Sequence, residues 1–170
     1  DISISIMVSD TVKELFPHDK IRPSQLELIN DIETAFEQGK TLLAHAPTGL
    51  GKTASALTVA IKEAIEKEKR VFFLTNRHTQ HQIAVNTLKE MKRKTGKNIT
   101  CVDLIGKRWM CNQEVAGLFS SDFNEYCKAV VEKGECEFYN NVKTKKGQSV
   151  PAQLLLKELK EAGALHTEEL

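Results

Sequence analysis

The hydrophobic positions of this chain alternate between helical spacing and short continuous runs. Helical spacing occurs in a segment that begins at Pro23 and ends at Gly39, again over 54–65, and once more around Leu88. The apolar faces carry Leu28, Ile29, Ile32, Ala35 and Phe36, then Ala56, Ala60, Ile61, Ala64 and Ile65, then Ile83, Ala84 and Leu88. Repeats of three and four residues predict amphipathic helices.

Three short apolar runs, 41–44, 71–74 and 99–104, lie between these helices. Continuous apolar runs of this length are typical of strands that are buried on both faces of a parallel sheet. The order strand, helix, strand, helix, strand predicts right-handed crossovers and an α/β fold. In such a fold the ligand binds at the carboxyl edge of the sheet.

The two ends of the chain follow a different pattern. Near the start, Ser9 is a candidate cap for a short helix with Val12, Leu15 and Phe16, which Pro17 ends. After Leu104 the strand–helix rhythm stops, and helical pieces are predicted over 112–119, 122–133 and 153–159, with a further turn at 167–169. We therefore divide the chain into 1–104, an insertion 105–150 and an incomplete helical region 151–170.

Composition narrows the class of protein. The 170 residues are 41% apolar and 28% charged, which is typical of a globular domain with its own core. With a net charge of +1, the chain as a whole does not have the strong positive charge that would attract nucleic acid, although basic residues cluster locally. No apolar run approaches the length of a membrane span, so no membrane partner is expected. We expect either a cytoplasmic protein associated with the nucleoid or a nuclear protein, in which cysteines are metal ligands or thiols rather than disulfides.

The stretch Ala46-Pro47-Thr48-Gly49-Leu50-Gly51-Lys52-Thr53 links the first apolar run to the second helix. A strand, a glycine-rich turn and a helix start are the context of a phosphate-binding loop. Gly49 and Gly51 allow backbone N–H groups to turn toward phosphate oxygens, and the helix N-terminus adds further donors. Lys52 is predicted to bind the β and γ phosphates of ATP, and the Thr53 hydroxyl to bind Mg²⁺.

Two polar groups flank this loop in the sequence. Arg22 and Gln25 lie at the start of the preceding helix, and a glutamine amide offers both donors and an acceptor to the edge of adenine. Thr75, Arg77 and Gln80 follow the second predicted strand and are candidates for contacts to a nucleic-acid backbone. Exposed polar residues at a helix end or in a loop remain the alternative interpretation for both groups.

Four cysteines leave the question of a metal open. Cys111, Cys127 and Cys136 lie in the insertion without a C-x-x-C pair, which argues against a zinc ribbon. Thiolates on such an insertion can hold an iron–sulfur cluster, which normally needs four. Cys101 lies among apolar residues and is predicted to be a small buried side chain. On spacing alone, all of them are compatible with a structural role.

Taken together, these motifs resemble the xeroderma pigmentosum group D (XPD) family of iron–sulfur DNA helicases in superfamily 2. The resemblance rests on Phe16-Pro17 with Ile21-Arg22-Pro23-Ser24-Gln25, on the phosphate loop, and on Leu74-Thr75-Asn76-Arg77-His78-Thr79-Gln80. It extends to Gly106-Lys107-Arg108-Trp109-Met110-Cys111 and to Cys136-Glu137-Phe138-Tyr139, with Cys127 between them. It covers about residues 16–140.

The resemblance implies a RecA-like motor domain that carries a cluster-containing insertion. It implies an ATP-dependent 5′→3′ helicase in DNA repair, with single-stranded and forked DNA and repair-complex proteins as partners. Cys111, Cys127 and Cys136 would hold a [4Fe–4S] cluster, and Lys107 and Arg108 would contact DNA. Lys107 stands where the family usually has arginine, and Trp109 replaces a commonly polar residue.

The sequence also departs from the family in what it lacks. No fourth cluster cysteine follows Cys136, and no D-E-x-H box is present. We therefore expect an N-terminal fragment that is inactive by itself, with the fourth ligand beyond residue 170. Two other hypotheses remain open: a P-loop kinase or other nucleotide-binding enzyme without a cluster, and a non-enzymatic metal-binding interaction module.

Overall fold

The computed structural model describes residues 8–115 and 117–169. These residues divide into two compact units, a first unit up to Cys101 and a second unit from Val102 onward. Three parts of the sequence-based predictions lie outside the described residues: positions 1–7 and 170 of the expected domains, and Ala116 of the predicted helix 112–119. None of the described helices is long and apolar enough to cross a membrane.

Helices dominate the described residues, with a few very short strands. The helices are α1 Asp10–Leu15, α2 Pro23–Glu37, α3 Lys52–Glu66, α4 His78–Thr95, α5 Ser120–Glu132, α6 Glu137–Val142 and α7 Val150–Ala162, followed by a 3-10 turn Thr167–Glu169. The strands are β1 Cys101–Val102, β2 Lys143–Thr144, β3 Gly147–Gln148 and β4 Ala164–Leu165. β1 pairs with β4, and β2 pairs with β3 as an antiparallel hairpin.

The first unit is a helical cluster organised around α3, which packs against α1, α2 and α4. Its core is apolar and contains the fully buried side chains of Phe16 and Ile29. The same cluster of the core includes Val8, Val12, Ala54 and Val59, with Ile21, Leu26 and Ile32 packed against it. Leu15 and Met91 are fully buried as well. Burial of this apolar surface is the main stabilising contribution to the unit.

The helix ends follow the sequence signals. The Ser9 side chain accepts a hydrogen bond from the backbone N–H of Val12 at 3.4 Å, as predicted for the cap of α1. Gly39, just beyond α2, and Gly96, the C-cap of α4, both have positive φ angles. Lys94, near the end of α4, donates to the carbonyls of Phe16 and His18, which connects α4 to the segment after α1.

The buried face of α3 differs from the predicted one. Ala56, Ala60 and Ala64 are only half-buried and Ile65 is exposed, whereas Ser55 and Thr58 are fully buried. The two hydroxyl groups donate to the carbonyls of Gly51 and Ala54, one helical turn earlier, so both are satisfied without reaching another element. A pattern of apolar residues alone could not have included them.

The predicted parallel sheet does not form over 41–44 and 71–74. Neither run is a strand in the described residues, and Leu43 and Leu74 are 98% and 88% exposed. A strand needs a hydrogen-bonded neighbour, and a parallel strand also needs cover on both faces. The described chain supplies neither to these two runs. Of the third predicted strand, 99–104, only Cys101–Val102 is paired.

The second unit contains α5, α6, α7 and the β2–β3 hairpin, with Phe123 of α5 as its largest fully buried side chain. The predicted helices 122–133 and 153–159 correspond to α5 and α7, and the turn at 167–169 is present. The predicted helix 112–119 is wrong, because these residues form bends and turns where they are described. Buried Asp103 accepts a hydrogen bond from the Thr167 backbone N–H at 3.4 Å.

We expect Lys62→Met to lower the free energy of unfolding by about 1–3 kcal/mol at neutral pH. Lys62 of α3 donates to the Glu33 carboxylate of α2 at 2.7 Å, and both side chains are only 15% exposed. The substitution leaves the Glu33 carboxylate partly buried without this cation. Denaturant unfolding measures the difference, and Lys67→Met, a change at the more exposed end of α3, should cost much less.

The pH dependence of that difference follows from the pKa of Lys62. Burial lowers this pKa, but the hydrogen bond and charge of Glu33, together with Glu66 and Glu63, raise it overall. A raised pKa contributes stability that is fully present below the unfolded value of about 10.4 and is lost as pH rises through the folded value. The gap between wild type and Lys62→Met should therefore shrink above about pH 10.4, and a constant gap would contradict this assignment.

Candidate nucleotide-binding site

The loop 46–53 turns directly into the N-terminus of α3. Gly49 and Gly51 have φ angles of +83° and +93°, which L-residues with a side chain rarely adopt. Gly51 is the N-cap, and α3 begins at Lys52 and continues for 15 residues. The first N–H groups of a helix have no partner within it and carry the positive end of the helix dipole. This end of α3 is therefore suited to an anion.

Lys52 lies across the loop that precedes it. Its ammonium group donates to the carbonyl oxygens of Ala46 and Pro47, both at 2.8 Å. The cation is thus held on the loop, between its first residues and the start of the helix, and it is exposed to solvent. Thr53 follows in the first turn of α3 and is half-buried. Loop, helix N-terminus and cation converge on one place, and the binding of phosphates and Mg²⁺ there stays a prediction.

Gln25 of α2 packs directly against this loop. A Cβ atom added at Gly51 would lie 2.3 Å from Gln25 Nε2, so the amide occupies the space that a side chain at Gly51 would need. Gln25 is 4% exposed, and its Oε1 accepts a hydrogen bond from the Arg22 backbone N–H at 2.9 Å. Proline at the first position of α2 completes a rigid helix start.

Arg22 also reaches the loop. Its guanidinium Nη1 donates to the Gly49 carbonyl at 3.4 Å. The structure thus brings both predicted adenine-side residues, Arg22 and Gln25, to the phosphate loop. Contact with adenine itself stays a prediction. The burial of Gln25 against Gly51 could not be predicted from the sequence, because this contact joins two elements that lie far apart in the chain.

The residues predicted to face DNA in the first unit lie together at the start of α4. Arg77 is the N-cap of α4 and is exposed, and its backbone N–H donates to the Thr75 hydroxyl at 3.3 Å. The Gln80 backbone N–H donates to the Arg77 carbonyl at 3.0 Å. The rings of His78 and His81 are 6.1 Å apart. This cluster of polar groups stays a candidate for backbone contacts.

The predicted cluster ligands in the second unit are not gathered into a metal site. Across residues 8–115 and 117–169, no group of three or more His, Cys, Asp or Glu side chains could hold a metal ion. Cys111, Cys127 and Cys136 are half-buried and form no disulfide, and the Cys136 sulfur accepts a hydrogen bond from Gln113 at 3.6 Å. Cys101 is half-buried rather than buried as predicted. The cluster hypothesis therefore receives no support from this arrangement.

Lys107 and Arg108, also predicted to contact DNA, differ in their surroundings. Lys107 is exposed, whereas Arg108 is half-buried and donates through Nη1 to the Leu118 carbonyl. Its guanidinium carbon lies 4.5 Å from the centre of the Trp109 ring. Arg108 is thus engaged within its own segment, which the sequence did not indicate.

A glycine-rich turn that places a lysine at a helix N-terminus is the pattern of a P-loop nucleotide-binding protein, although the run 41–44 before it does not form the strand that usually accompanies this pattern. Residues 18–149 match the family described as type III restriction enzyme, res subunit, and the chain belongs to this family. This helicase-like family implies a RecA-like fold. The matched range includes the loop, the start of α4 and the cysteine-containing segment.

The chain is also similar to a curated relative, a probable ATP-dependent helicase of Methanocaldococcus jannaschii. The two are 32% identical over 96 residues, which cover 56% of this chain and 14% of the relative. The chain therefore corresponds to a small part of that protein. No solved structure matches the chain.

Proposed function

We propose that this chain provides the ATP-binding part of an ATP-dependent DNA helicase of superfamily 2. The observation that carries the proposal is the Gly49–Lys52 loop at the N-terminus of α3, with the Lys52 ammonium held on the loop carbonyls. The family match and the helicase relative support it. They favour a helicase over a P-loop kinase, because neither of them is described as a kinase.

In this proposal, each loop residue has a separate task. Lys52 exchanges the carbonyls of Ala46 and Pro47 for the β and γ phosphates of ATP, where its charge offsets theirs. The backbone N–H groups of Gly49 and Gly51 surround the phosphate oxygens. The Thr53 hydroxyl would hold Mg²⁺, which neutralises the charge that develops on the phosphates. Arg22 would bind on the adenine side, whereas Gln25, whose amide is buried against Gly51 and bonded to the Arg22 N–H, reaches adenine only by leaving these contacts.

The DNA-binding role is assigned to groups at the surface. Thr75, Arg77 and Gln80 at the start of α4 have the hydroxyl, guanidinium and amide groups that bind a sugar–phosphate backbone. Lys107 adds an exposed cation in the second unit. The proposed partners are single-stranded and forked DNA with proteins of a repair complex, and the proposed location is the nucleoid-containing cytoplasm or the nucleus.

A finer proposal is that this helicase is of the XPD type and moves 5′→3′. Its support is the order of the motifs, from Ile21-Arg22-Pro23-Ser24-Gln25 through the loop to Cys136-Glu137-Phe138-Tyr139. A [4Fe–4S] cluster would need Cys111, Cys127 and Cys136 to converge, and they do not fit one as arranged here. No step of the proposed mechanism passes through a cluster. Anaerobic reconstitution with iron and sulfide, with Cys111→Ser as control, tests this finer proposal.

The test of the main proposal is binding of nucleotide and of DNA by the same chain. Titration with a fluorescent ATP analogue and Mg²⁺ should give saturable binding. A labelled 15-nucleotide single strand should bind with an affinity that falls as salt rises, because phosphate contacts release counterions. Nucleotide binding without DNA binding would contradict the helicase proposal and favour a kinase. DNA binding without nucleotide binding would contradict the role of the loop.

A further inference from the structure

Trp109 is the one tryptophan of the chain, and it lies at the surface of the second unit. Its side chain is 56% exposed although it is large and mostly apolar. Aromatic side chains of this size bury a large area when they pack in a core, so an exposed indole leaves a substantial apolar surface in water. The segment that carries it is a series of turns, in which the backbone N–H of Trp109 donates to the Gly106 carbonyl at 2.8 Å.

The Trp109 ring is held by its neighbours. The Arg108 guanidinium carbon lies 4.5 Å from the ring centre, which is the distance of a cation–π contact. Arg108 is itself held in place, because its Nη1 donates to the Leu118 carbonyl. A Cβ atom at Gly106 would lie 3.2 Å from Trp109 Cδ1, so the indole edge lies close to the backbone. The orientation of the exposed ring is therefore set before any ligand binds.

The charged residues nearest to Trp109 in the sequence are positive. Lys107 and Arg108 directly precede it, and the nearest acidic residues, buried Asp103 and exposed Glu114, are at least five positions away. An aromatic ring beside a cationic segment is the combination that binds single-stranded nucleic acid, because bases stack on the ring and the cations attract the phosphates.

The same segment exposes two apolar side chains, Leu104 at 66% and Met110 at 36%, which a protein partner could also cover. The exposed cation of Lys107, shortly before Trp109 and Met110 in this segment, favours a nucleic acid over a protein.

We propose that Trp109 is a stacking platform for a base of single-stranded DNA, with Arg108 as the positioning residue that holds the ring. The proposal rests on the helicase function proposed above and extends it with a binding residue in the second unit. Stacking is tolerant of sequence, since every base has a π-face. A motor that moves along a strand needs contacts of this kind, because they do not depend on the bases it passes.

The single tryptophan makes the proposal directly measurable. Titration of the chain with a 15-nucleotide oligothymidine should quench the Trp109 fluorescence, because a stacked base contacts the indole. Trp109→Ala should weaken binding of the same strand, measured by anisotropy of a labelled oligonucleotide, by about 5- to 100-fold. Trp109→Phe keeps an aromatic face and should retain most of the affinity. Phe138→Ala removes another exposed aromatic ring of this unit and should leave the affinity unchanged.

The outcomes separate this proposal from the function on which it rests. If the strand binds without quenching, and Trp109→Ala binds as tightly as wild type, the platform is refuted and the helicase proposal stands. If no variant binds the strand while nucleotide still binds, the helicase proposal itself is refuted. Equal losses for Trp109→Ala and Phe138→Ala would also refute the platform, because they would show a general effect of removing aromatic surface. Arg108→Lys keeps the charge and should weaken quenching by loosening the ring.

Discussion

We expect Lys52→Ala to lower the affinity of the chain for Mg·ATP by about 10- to 100-fold. A hydrogen bond from a charged donor contributes about 1.5–3 kcal/mol, and each 1.4 kcal/mol is a factor of about ten in affinity. Lys52 already lies on the loop, with its ammonium 2.8 Å from two loop carbonyls, so little reorganisation is needed to reach a bound phosphate. Titration calorimetry with Mg·ATP measures the loss.

The matched control for this prediction is Lys67→Ala. Lys67 lies just after the last residue of α3, at the opposite end of the helix from the loop, and its removal changes the net charge by the same amount. Nucleotide affinity should therefore be unchanged in this variant. Lys52 is exposed, so Lys52→Ala should shift the free energy of unfolding by no more than about 0.5 kcal/mol. A Lys52→Ala chain that unfolds normally and binds Mg·ATP as tightly as wild type would refute the assignment of the loop.

We expect Gly51→Ala to abolish nucleotide binding and to destabilise the first unit as well. The methyl group would need to lie 2.3 Å from the Gln25 amide nitrogen, at a residue whose φ angle is +93°. A terminal amide could normally move away, but Gln25 is 4% exposed and its Oε1 is bonded to the Arg22 N–H. Moving it breaks that bond and displaces the loop. Together, the backbone strain and the lost contact should cost about 2–4 kcal/mol.

Gly96→Ala is the control that separates the effect of backbone strain from the effect of the lost Gln25 contact. Gly96 also has a positive φ angle, +68°, but a Cβ atom there would meet nothing within 4 Å. This variant should lose only about 1 kcal/mol of stability from the backbone conformation, and it should bind nucleotide normally. Thermal unfolding and Mg·ATP titration of both variants provide the comparison. Similar losses in the two would show that the Gln25 contact does not stabilise the loop.

The sequence predicted best those features that depend on neighbouring residues. Pro23, Gly39 and the spacing of apolar residues located α2, and the tail Gly51-Lys52-Thr53 located the start of α3. These signals are local, because a cap or a helical repeat is formed within a few residues. The geometry of the loop could be predicted for the same reason.

The predictions that were wrong concern features that depend on distant parts of the chain. The runs 41–44 and 71–74 have the composition of buried strands, yet pairing and cover come from other segments, and the described residues do not provide them. Cysteine spacing could not show whether three thiols converge, since that depends on how the insertion folds. The buried contact between Gln25 and Gly51 also joins two separate elements. No periodic pattern encodes such contacts.

The most direct test of the central claim is the change in backbone amide NMR shifts on addition of Mg·ADP to ¹⁵N-labelled chain. Our account predicts saturable shifts concentrated at residues 46–53, with further changes at Arg22 and Gln25, and little change in the second unit. Shifts confined to other residues, or no shifts at nucleotide concentrations where ordinary P-loop proteins are saturated, would contradict nucleotide binding at this loop and with it the proposed function.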